Sequence, residues 1–251
     1  MNNHAFGLDI GGTGMKGAVV DLDTGEVVSE RVRLDTPQPA TIAALLDAAA
    51  AVVTEAGWEG PLGCTFPGIV KHGIIGSSAN LAPEWVGEHL GERLSAHLGL
   101  PVTPVNDADA AGLAEMRFGA GRGTSGVVLM LTLGTGVGSA MFIDGVLVPN
   151  TELGHLEFEG AVAETLTSAA ARERGGLGYE QWAERLERYF THLERLFSPD
   201  LFIIGGGISR KAERFLPLID IKTPMVPAES RHNAGIVGAA LACAEATPTF
   251  A

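Results

Sequence analysis

The amino-acid sequence predicts an α/β protein built from two similar lobes. Its 251 residues are 46% hydrophobic, and 34 glycines with only 6% aromatic residues suit close packing of helices on sheets. A strand, a Gly-Thr-Gly turn and a second strand are predicted twice, around residues 12–14 and 134–136. This internal repeat indicates two lobes of one design, and a cleft between two lobes is a natural place for a ligand.

The first lobe is predicted over residues 1–108 and opens on a β-hairpin with a glycine-rich turn. Alternating or short apolar stretches indicate strands, while longer Ala- and Leu-rich stretches that end at glycine or proline indicate helices. The predicted elements are strands at 6–10, 15–22 and 27–34, a helix at 41–56, a strand at 62–66, a loop-rich section at 67–85, a helix at 87–98, a strand at 102–105 and a helix at 108–118.

The second lobe is predicted over residues 109–232 and repeats the opening hairpin. Its predicted elements are strands at 127–133 and 137–143, a long amphipathic helix at 179–197, a strand at 201–204 that leads into three glycines, and a helix at 209–215. A helix of small residues at 234–244 follows. We expect the C-terminal helix, about 233–246, to pack back on the first lobe.

Charge and composition exclude several classes of function. The net charge of −13 argues against a nucleic-acid groove, because duplex binding requires a basic surface. The longest apolar stretch, 127–143, is interrupted by glycines and is too short for a membrane-spanning helix, and the first residues lack the apolar core of a signal peptide. Cys64 and Cys243 both lie in apolar surroundings, so we expect buried thiols and a cytoplasmic protein.

The glycines of the first turn are candidates for a phosphate-binding loop. Gly11-Gly12-Thr13-Gly14 would let backbone N–H groups approach phosphate oxygens, and Thr13 would add a hydroxyl. Lys16 would add a positive charge, and Asp9 would hold a hydrated Mg²⁺ ion that bridges the donor phosphates. The alternative is a hairpin whose glycines serve turn geometry alone. The second turn, Gly134-Thr135-Gly136, favours phosphate binding, because two such loops suit a phosphate chain held between two lobes.

A dinucleotide-binding motif is a competing interpretation of the same glycines. Gly12, Gly14 and Gly17 match the Gly-x-Gly-x-x-Gly spacing, which in dinucleotide-binding folds opens a helix. The residues after Gly17 are β-like and end in a turn, so the sequence offers no helix N-terminus for a pyrophosphate. We therefore expect a phosphate-binding hairpin rather than the cofactor site of an oxidoreductase.

A second group of residues is suited to binding and deprotonating a hydroxyl substrate. Asp107 follows the predicted strand 102–105 and is the candidate general base for a phosphoryl transfer, with a plain helix cap as its alternative role. Asn106 beside it is suited to hydrogen-bond a sugar hydroxyl. Glu152 and His155 are three residues apart and would form a fork that accepts from and donates to neighbouring hydroxyls.

Together these motifs resemble those of ROK sugar kinases, which have the actin-like, hexokinase-type (ribonuclease H-like) fold. The order and spacing agree over nearly the whole chain, although no single motif is specific by itself. The matching residues are Asp9-Ile10-Gly11-Gly12-Thr13-Gly14, Lys16, Asn106-Asp107-Ala108, Leu133-Gly134-Thr135-Gly136-Val137-Gly138, Glu152, Gly154-His155 and Gly205-Gly206-Gly207. The resemblance extends to polyphosphate glucokinases, including the polyphosphate/ATP-glucomannokinase type, through stretches such as 199–207, 211–217 and 233–240.

The resemblance implies transfer of a terminal phosphoryl group from polyphosphate, ATP or both to the 6-hydroxyl of glucose, with mannose as a further substrate and Mg²⁺ as cofactor. Asp107 would be the general base, and the sugar would be held by Asn80, Asn106, Asp107, Glu152 and His155. The donor would be held by Asp9, Gly11, Gly12, Thr13, Gly14, Lys16, Thr132, Gly134, Thr135, Gly136, Gly206 and Gly207, with Mg²⁺ bound indirectly through Asp9. A homodimer is among the assemblies that the resemblance allows.

One departure from the family pattern concerns zinc. Many ROK proteins carry a cysteine-rich zinc motif soon after the Glu-x-Gly-His sequence, but here no cysteine lies between Cys64 and Cys243. A thiolate zinc site cannot form in that stretch, so we expect no structural zinc. Sugar selectivity inferred from zinc-containing relatives is therefore in doubt for this chain.

Two alternative functions stay open at this point. An ATP-only hexose kinase would carry the same motifs, and the sequence does not separate it from a polyphosphate user. Polyphosphate should require a basic track that leads away from the cleft. Candidates for such a track are Lys16, Arg117, Arg122, Arg210, Lys211 and Arg214, although such clusters are commonly solvated surface. A non-enzymatic, sugar-sensing ROK protein of the repressor type would carry an N-terminal helix-turn-helix, for which a first strand at about residue 6 leaves no room, and would be expected to lack Asp107.

Overall fold

The computed structural model of the protein describes residues 3–78, 81–230 and 233–246. These residues form two compact units, each with its own five-stranded sheet and its own hydrophobic core. Unit 1 extends to Ala114 and also includes the C-terminal helix, while unit 2 starts at Glu115. The chain is therefore a mixed α/β protein with two sheets, as the sequence predicts.

Unit 1 is built on a mixed five-stranded sheet. Its strands are β1 (His4–Ile10), β2 (Gly14–Asp21), β3 (Val32–Asp35), β4 (Leu62–Phe66), β5 (Val70–Lys71), β6 (Ile74–Ile75) and β7 (Val102–Asn106). The sheet has the order β3-β2-β1-β4-β7, in which β1, β2 and β3 form an antiparallel meander and β1, β4 and β7 run parallel. In the first hairpin Asp9 lies opposite Lys16, so the strand pairing itself brings these two side chains together.

The helices that begin in unit 1 are α1 (Ile42–Glu55), α2 (Leu90–Leu98) and α3 (Asp107–Phe118), with a short 3₁₀ helix at Pro83–Trp85. The helix predicted at 87–98 starts later than expected. The reason is a cap, because His89 Nδ1 accepts a hydrogen bond from Glu92 N at 3.3 Å and the helix begins after that residue.

The strand predicted at 27–34 is limited to β3 and a single bridge between Val20 and Val27. Here side chains replace part of the strand pairing. The Ser29 hydroxyl accepts a hydrogen bond from Val19 N at 2.9 Å, so a regular ladder does not continue through this region. The sequence shows the apolar alternation of a strand, but it does not show that a hydroxyl takes over a backbone partner.

Unit 2 repeats the sheet of unit 1. Its strands are β8 (Val127–Leu133), β9 (Val137–Ile143), β10 (Val146–Val148), β11 (Glu157–Phe158), β12 (Ala161–Val162), β13 (Leu201–Gly205) and β14 (Met225–Pro227). The five-stranded sheet has the order β10-β9-β8-β13-β14, with an antiparallel meander of three strands and three parallel strands. Strand order and directions are the same as in unit 1, as the internal repeat predicts.

The helices of unit 2 are α4 (Glu164–Thr167), α5 (Ala169–Arg174) and α6 (Tyr179–Phe197), with 3₁₀ helices at Leu153–His155, Gly207–Arg214 and Leu216–Leu218. Helix α6 has the predicted bounds, and its buried side chains Trp182 and Phe190 contact Phe215 and Phe202 in the core. The helix predicted at 209–215 is instead a 3₁₀ helix.

The C-terminal helix, α7 (Ala234–Ala246), packs against the sheet of unit 1 at very short range. A Cβ atom at Gly7 of β1 would overlap the carbonyl group of Ile236, and one at Gly63 of β4 would overlap that of Ala239. Only glycine therefore fits at these two strand positions. The abundance of small residues in the composition is the condition for this close helix–sheet contact.

The sequence also predicts buried thiols and no membrane-spanning helix. Cys64 and Cys243 are both buried and form no disulfide, and burial raises the pKa of the Cys64 thiol far above its usual range. A thiol in this environment stays protonated and unreactive. Within the described part of the chain, every helix is too short or too polar to cross a lipid bilayer.

Glu115, in α3, is a fully buried carboxylate that joins three segments of unit 2. Its Oε2 accepts hydrogen bonds from Ala120 N at 2.9 Å and Glu229 N at 3.0 Å, and its Oε1 accepts one from Ser230 N at 2.6 Å. A buried charge is tolerated when hydrogen bonds surround it, and here backbone N–H groups supply them. Glu115 thereby fixes the end of α3 and the segment that leads towards α7.

We expect Glu115→Ala to lower the free energy of unfolding by about 3 kcal/mol or more, because three partly buried backbone N–H groups lose the acceptor that the fully buried Glu115 provides. Urea denaturation followed by tryptophan fluorescence would measure the loss. Glu115→Gln, which keeps the shape and one acceptor oxygen, should be less destabilised than the alanine variant. An alanine variant with the wild-type midpoint would contradict this role for the carboxylate.

Candidate active site

The first glycine turn, between β1 and β2, is held in shape by side chains from the segment after β3. Thr36 Oγ1 donates a hydrogen bond to Gly11 O, and Gln38 Nε2 donates one to Gly12 O at 3.3 Å. Thr36 is buried, whereas Thr13 in the turn is exposed. Because neighbouring side chains bind its carbonyl groups, the turn is organised before any ligand arrives.

Asp9, at the end of β1, is oriented by three neighbours. Its Oδ1 accepts a hydrogen bond from Thr65 Oγ1 at 2.9 Å, and Thr65 Oγ1 in turn accepts one from Ile10 N at 2.9 Å. Its Oδ2 lies 3.4 Å from Lys16 Nζ. On its other side lies α7, where a Cβ atom at Gly235 would come within 2.7 Å of the Asp9 carboxylate. The carboxylate and the ammonium group are thus fixed beside the first turn.

The second glycine turn, between β8 and β9, is held by backbone and carboxylate groups. Gly134 N donates to Gly136 O at 3.0 Å within the turn, and Gly134 O accepts from Ala170 N of α5 at 3.1 Å. Val137 N, just after the turn, donates to Glu164 Oε2 at 3.1 Å. This turn is therefore attached to the starts of α4 and α5.

The triple glycine follows β13 and lies next to the second turn. Gly205, which precedes the predicted donor residues Gly206 and Gly207, is paired with Thr132 of β8, so these predicted residues lie near the ends of neighbouring parallel strands. Gly206 has a φ of 81° and packs so closely on the backbone of Leu133 that a Cβ atom would lie 2.7 Å from the Leu133 carbonyl oxygen. A left-handed conformation and a close approach both require glycine here. Gly207 is exposed and begins the 3₁₀ helix.

Asn106 and Asp107 have different roles at the start of α3. Asn106 Oδ1 accepts hydrogen bonds from Ala108 N at 2.8 Å and Asp109 N at 2.9 Å, which makes Asn106 the helix cap. Its Nδ2 donates to Gly68 O at 3.0 Å, and the side chain is almost completely buried. Asp107 is exposed, although its Oδ1 also accepts from the adjacent Ala108 N at 2.8 Å. The helix therefore does not need the Asp107 carboxylate as its cap.

Glu152, His155 and Glu164 form an acid–imidazole–acid group in unit 2. His155 Nδ1 lies 3.8 Å from Glu152 Oε2, and His155 Nε2 lies 3.9 Å from Glu164 Oε1. Burial raises the pKa of Glu152 above its usual value, His155 opposes that rise and Glu164 adds to it. Within 3–78, 81–230 and 233–246, no group of three or more His, Cys, Asp or Glu side chains is arranged to hold a metal ion. The group presents carboxylate and imidazole atoms that can form hydrogen bonds.

The structure places the predicted site residues in two sets. Unit 1 holds Asp9, Gly11, Gly12, Thr13, Gly14, Lys16, Asn106 and Asp107, and unit 2 holds Thr132, Gly134, Thr135, Gly136, Glu152, His155, Gly206 and Gly207. Thr135, like Thr13, is an exposed threonine in the middle of its turn. Asn80 lies outside the described residues.

Two residues that contact the candidate site are not identified by the sequence motifs. Thr65 orients Asp9 from the middle of the buried strand β4, and Glu164 contacts both His155 and the second turn. Neither belongs to a local motif, because each reaches its partner through strand pairing or chain folding. The absence of the zinc-motif cysteines marks the stretch after His155 as unusual for the family, but it does not identify Glu164.

Comparison with known proteins identifies similar chains. A family model described as the ROK family matches residues 5–171. The chain is 50% identical over 240 residues to a polyphosphate glucokinase of Mycobacterium tuberculosis (strain CDC 1551 / Oshkosh), which covers 95% of this chain and 91% of that protein. It is also 28% identical, over 97% of its length and 98% of the relative, to a glucokinase of Streptomyces coelicolor.

Solved structures give the same result. An inorganic polyphosphate/ATP-glucomannokinase from Arthrobacter sp. strain KM superposes with a TM-score of 0.92 at 52% identity, covering 98% of this chain and all of that one. A ROK family glucokinase from Streptomyces griseus, solved with glucose and AMPPNP, superposes with a TM-score of 0.81 at 26% identity and covers 96% of this chain and 99% of that one. The fold of the chain is therefore the actin-like, hexokinase-type fold.

We expect Glu152→Gln to raise the melting temperature at neutral pH. Because the folded-state pKa of Glu152 is raised, the unfolded chain ionises first as pH increases. The resulting loss of stability begins near the ordinary glutamate pKa and is complete above the folded-state value. Replacement by a neutral isostere removes that loss, so the two proteins should differ at neutral pH and converge at about pH 3, where the carboxyl group is protonated in both states.

Differential scanning fluorimetry of both proteins from acidic to neutral pH would measure this difference. Glu157→Gln is the matched control, because Glu157 is an exposed glutamate in the same stretch of unit 2. It should leave the melting temperature unchanged across the pH range. A Glu152→Gln variant that is less stable than wild type at neutral pH would show that the carboxylate stabilises the fold instead.

Proposed function

Since this chain belongs to the ROK family, we propose that it is a kinase that transfers the terminal phosphoryl group of polyphosphate or ATP to the 6-hydroxyl of glucose. Its 50% identity to a polyphosphate glucokinase extends over 95% of the chain, and its 52% identity to a polyphosphate/ATP-glucomannokinase over 98%. Identity at this level over nearly the whole chain supports polyphosphate and ATP as donors and glucose as the acceptor. Mannose is supported as a second acceptor by the similarity to the glucomannokinase.

The difference in role between Asn106, which caps α3, and Asp107, which is exposed, supports the catalytic part of the proposal. A general base needs an accessible carboxylate that holds a fixed position. Asn106 caps α3 and is buried, whereas Asp107 is the first residue of the same helix and is exposed. We infer that Asp107 accepts the proton of the 6-hydroxyl.

The sugar would be held by amide, carboxylate and imidazole groups. The Asn106 amide has two N–H donors and gives one to Gly68 O, so the other is left to donate to a sugar oxygen. Glu152 would accept from one hydroxyl and His155 would donate to or accept from its neighbour. Glu164 contacts His155 and would fix its ring, which adds a fourth residue to the set that the sequence predicts.

The donor phosphates would be bound by the two turns. The first turn supplies backbone N–H groups, the Thr13 hydroxyl and the nearby Lys16 ammonium group, which suit the phosphoryl group in transfer. The second turn, with Thr132 and Thr135, suits the phosphates that stay with the donor. Gly206 and Gly207 have no side chains, so the base of ATP would be able to approach their backbone.

Asp9 fits an indirect role in binding Mg²⁺. A hydrated Mg²⁺ ion takes one or two carboxylates and obtains its other ligands from water and substrate phosphates. Asp9 offers Oδ2 beside the first turn, and Thr65 holds its Oδ1. When bound, the ion would neutralise charge on the phosphates. Lys16 and the turn N–H groups add to that neutralisation from the protein side.

In the proposed step the 6-hydroxyl loses its proton to Asp107 Oδ while its oxygen attacks the terminal phosphorus. A new O6–P bond forms, and the P–O bond to the remaining donor chain breaks in line with it. The shortened donor leaves with the bonding electron pair. Positive charge from Lys16 and hydrogen bonds from the turns stabilise the charge that develops on the transferring group.

We expect Asp107→Ala to lower kcat for glucose phosphorylation at least ~10²-fold, because the variant lacks the base. Stability should be retained, because Asn106 still caps the helix, and a melting curve would check this. Asp220→Asn is the control, since Asp220 is an exposed carboxylate far along the chain in unit 2. Near-normal turnover of Asp107→Ala would remove Asp107 from the mechanism.

We expect the protein with Mg²⁺ to produce glucose 6-phosphate from glucose with either polyphosphate or ATP. A coupled assay for glucose 6-phosphate, run with each donor separately and with mannose in a parallel assay for mannose 6-phosphate, would measure donor and sugar breadth. Phosphorylation from ATP alone would correct the proposal to an ATP-only hexose kinase. Removal of Mg²⁺ by EDTA should abolish turnover with both donors.

A further inference from the structure

Two arginines in unit 2 lie against one tyrosine ring. The guanidinium carbon of Arg172 lies 4.1 Å from the centroid of the Tyr179 ring, and that of Arg214 lies 4.3 Å from the same centroid. The three residues come from α5, α6 and the 3₁₀ helix Gly207–Arg214. We call them the arginine clamp.

The two positive charges of the clamp are not balanced by carboxylates. Within the described residues, neither Arg172 nor Arg214 has a carboxylate oxygen within 4.0 Å, and neither guanidinium group forms a hydrogen bond. Arg172 Nε is buried and has no hydrogen-bond partner. Both guanidinium groups lie over one tyrosine ring without a carboxylate partner among the described residues, although the chain has 30 Asp and Glu residues against 17 Lys and Arg residues. This arrangement indicates that an anion completes it.

Both arginines are carried by elements that start at the second glycine turn. Helix α5 begins where Ala170 N binds Gly134 O, and Arg172 follows two residues later. The 3₁₀ helix begins after Gly206, which packs on Leu133 just before the turn, and it ends at Arg214. The clamp therefore belongs to the same unit as the second phosphate turn and is connected to that turn by α5 and by the 3₁₀ segment Gly207–Arg214, which is kinked at Lys211.

The chemistry of the clamp selects phosphate. A guanidinium group that stacks on an aromatic ring keeps the N–H edge of its plane directed outwards, and that edge matches two phosphate oxygens. Tyr179 is buried and also packs on Phe215, so the ring is a fixed platform for both arginines. The outward N–H groups of each arginine are thus held in place for a phosphate group.

We propose that the arginine clamp binds phosphates of polyphosphate beyond those held by the two glycine turns. This inference rests on the proposed function, because it concerns the donor of the same reaction. ATP ends in an uncharged nucleoside after its third phosphate, whereas polyphosphate presents further anionic groups to a site farther along. The clamp therefore favours polyphosphate over ATP and is a specificity-determining site of the donor.

Donor-specific kinetics test the proposal. With glucose saturating, we expect Arg172→Ala and Arg214→Ala each to raise KM for long-chain polyphosphate about tenfold, the effect of one lost charge-assisted contact. KM for ATP should change less than about twofold, and kcat should stay near wild type with both donors. Equal increases in KM for both donors, or no increase for either, would overturn the proposal.

Two further variants separate binding from general effects. Arg174→Ala removes an exposed arginine of the same helix that makes no contact with Tyr179, and it should leave both KM values unchanged. Arg172→Lys keeps the charge without the planar, bidentate edge, so its KM for polyphosphate should fall between those of wild type and Arg172→Ala. If Arg172→Ala melts early, Arg172→Lys and Arg214→Ala still decide the question, because Arg214 is exposed.

Calorimetry separates failure of the clamp from failure of the proposed function. Long-chain polyphosphate is titrated without sugar into wild type and into the Arg172→Ala/Arg214→Ala double variant, and the wild type should bind at least about tenfold more tightly. A wild type that phosphorylates glucose only from ATP would overturn the donor assignment. The clamp would then stand if the calorimetric difference is present and would be rejected if the two proteins bind polyphosphate equally.

Discussion

The candidate active site depends on one hydrogen-bonding constraint, which is that the first N–H groups of α3 must find acceptors. Asn106 satisfies it by accepting from Ala108 N and Asp109 N. Because that acceptor comes from the residue before the helix, the exposed Asp107 need not serve as the structural cap. At the first turn, likewise, the Thr36 and Gln38 side chains donate hydrogen bonds to backbone carbonyl groups of the turn. Side chains next to the proposed reactive groups carry the structural hydrogen bonds.

Close packing is the second condition, and it links the composition to the site. Helix α7 approaches β1 and β4 so closely that Gly7 and Gly63 cannot carry side chains. The same approach brings Gly235 against the Asp9 carboxylate, so packing in the core of unit 1 also sets the position of a proposed donor ligand. A larger residue at any of these positions would move the helix away from the sheet. The glycine content is therefore part of how the site is held together.

The sequence was most informative where pattern and structure are both local. The hairpin strands β8 and β9 and the helix α6 have the bounds that their periodicity predicts, and the repeated turn correctly predicts two sheets of one topology. The failures have non-local causes. The Ser29 hydroxyl shortened a predicted strand. Thr65 and Glu164 were missed because only tertiary packing brings them to Asp9 and His155. Likewise, the basic residues proposed from sequence included Arg214 but not Arg172, whose contact with Tyr179 depends on the fold.

The two hairpins are similar in topology but differ in charge, and this difference supports different proposed roles for them in donor binding. In the first hairpin four residues separate the last strand pair, Ile10 and Met15, whereas three separate Leu133 and Val137 in the second. The next pair inward is Asp9 with Lys16 in unit 1, and in unit 2 it is Thr132 with Gly138.

At this pair of positions the first hairpin thus has a carboxylate and an ammonium group. The second hairpin has a hydroxyl group and a glycine without a side chain. Charge development is greatest at the phosphoryl group in transfer, where fixed charges stabilise it most. The charge on phosphates that stay with the donor changes little during the reaction. Hydroxyl and N–H groups are therefore sufficient to bind them. The charged hairpin therefore suits the reacting end of the donor. In the proposed mechanism the neutral hairpin, which lies in the same unit as the arginine clamp, would bind the part of the donor that is released.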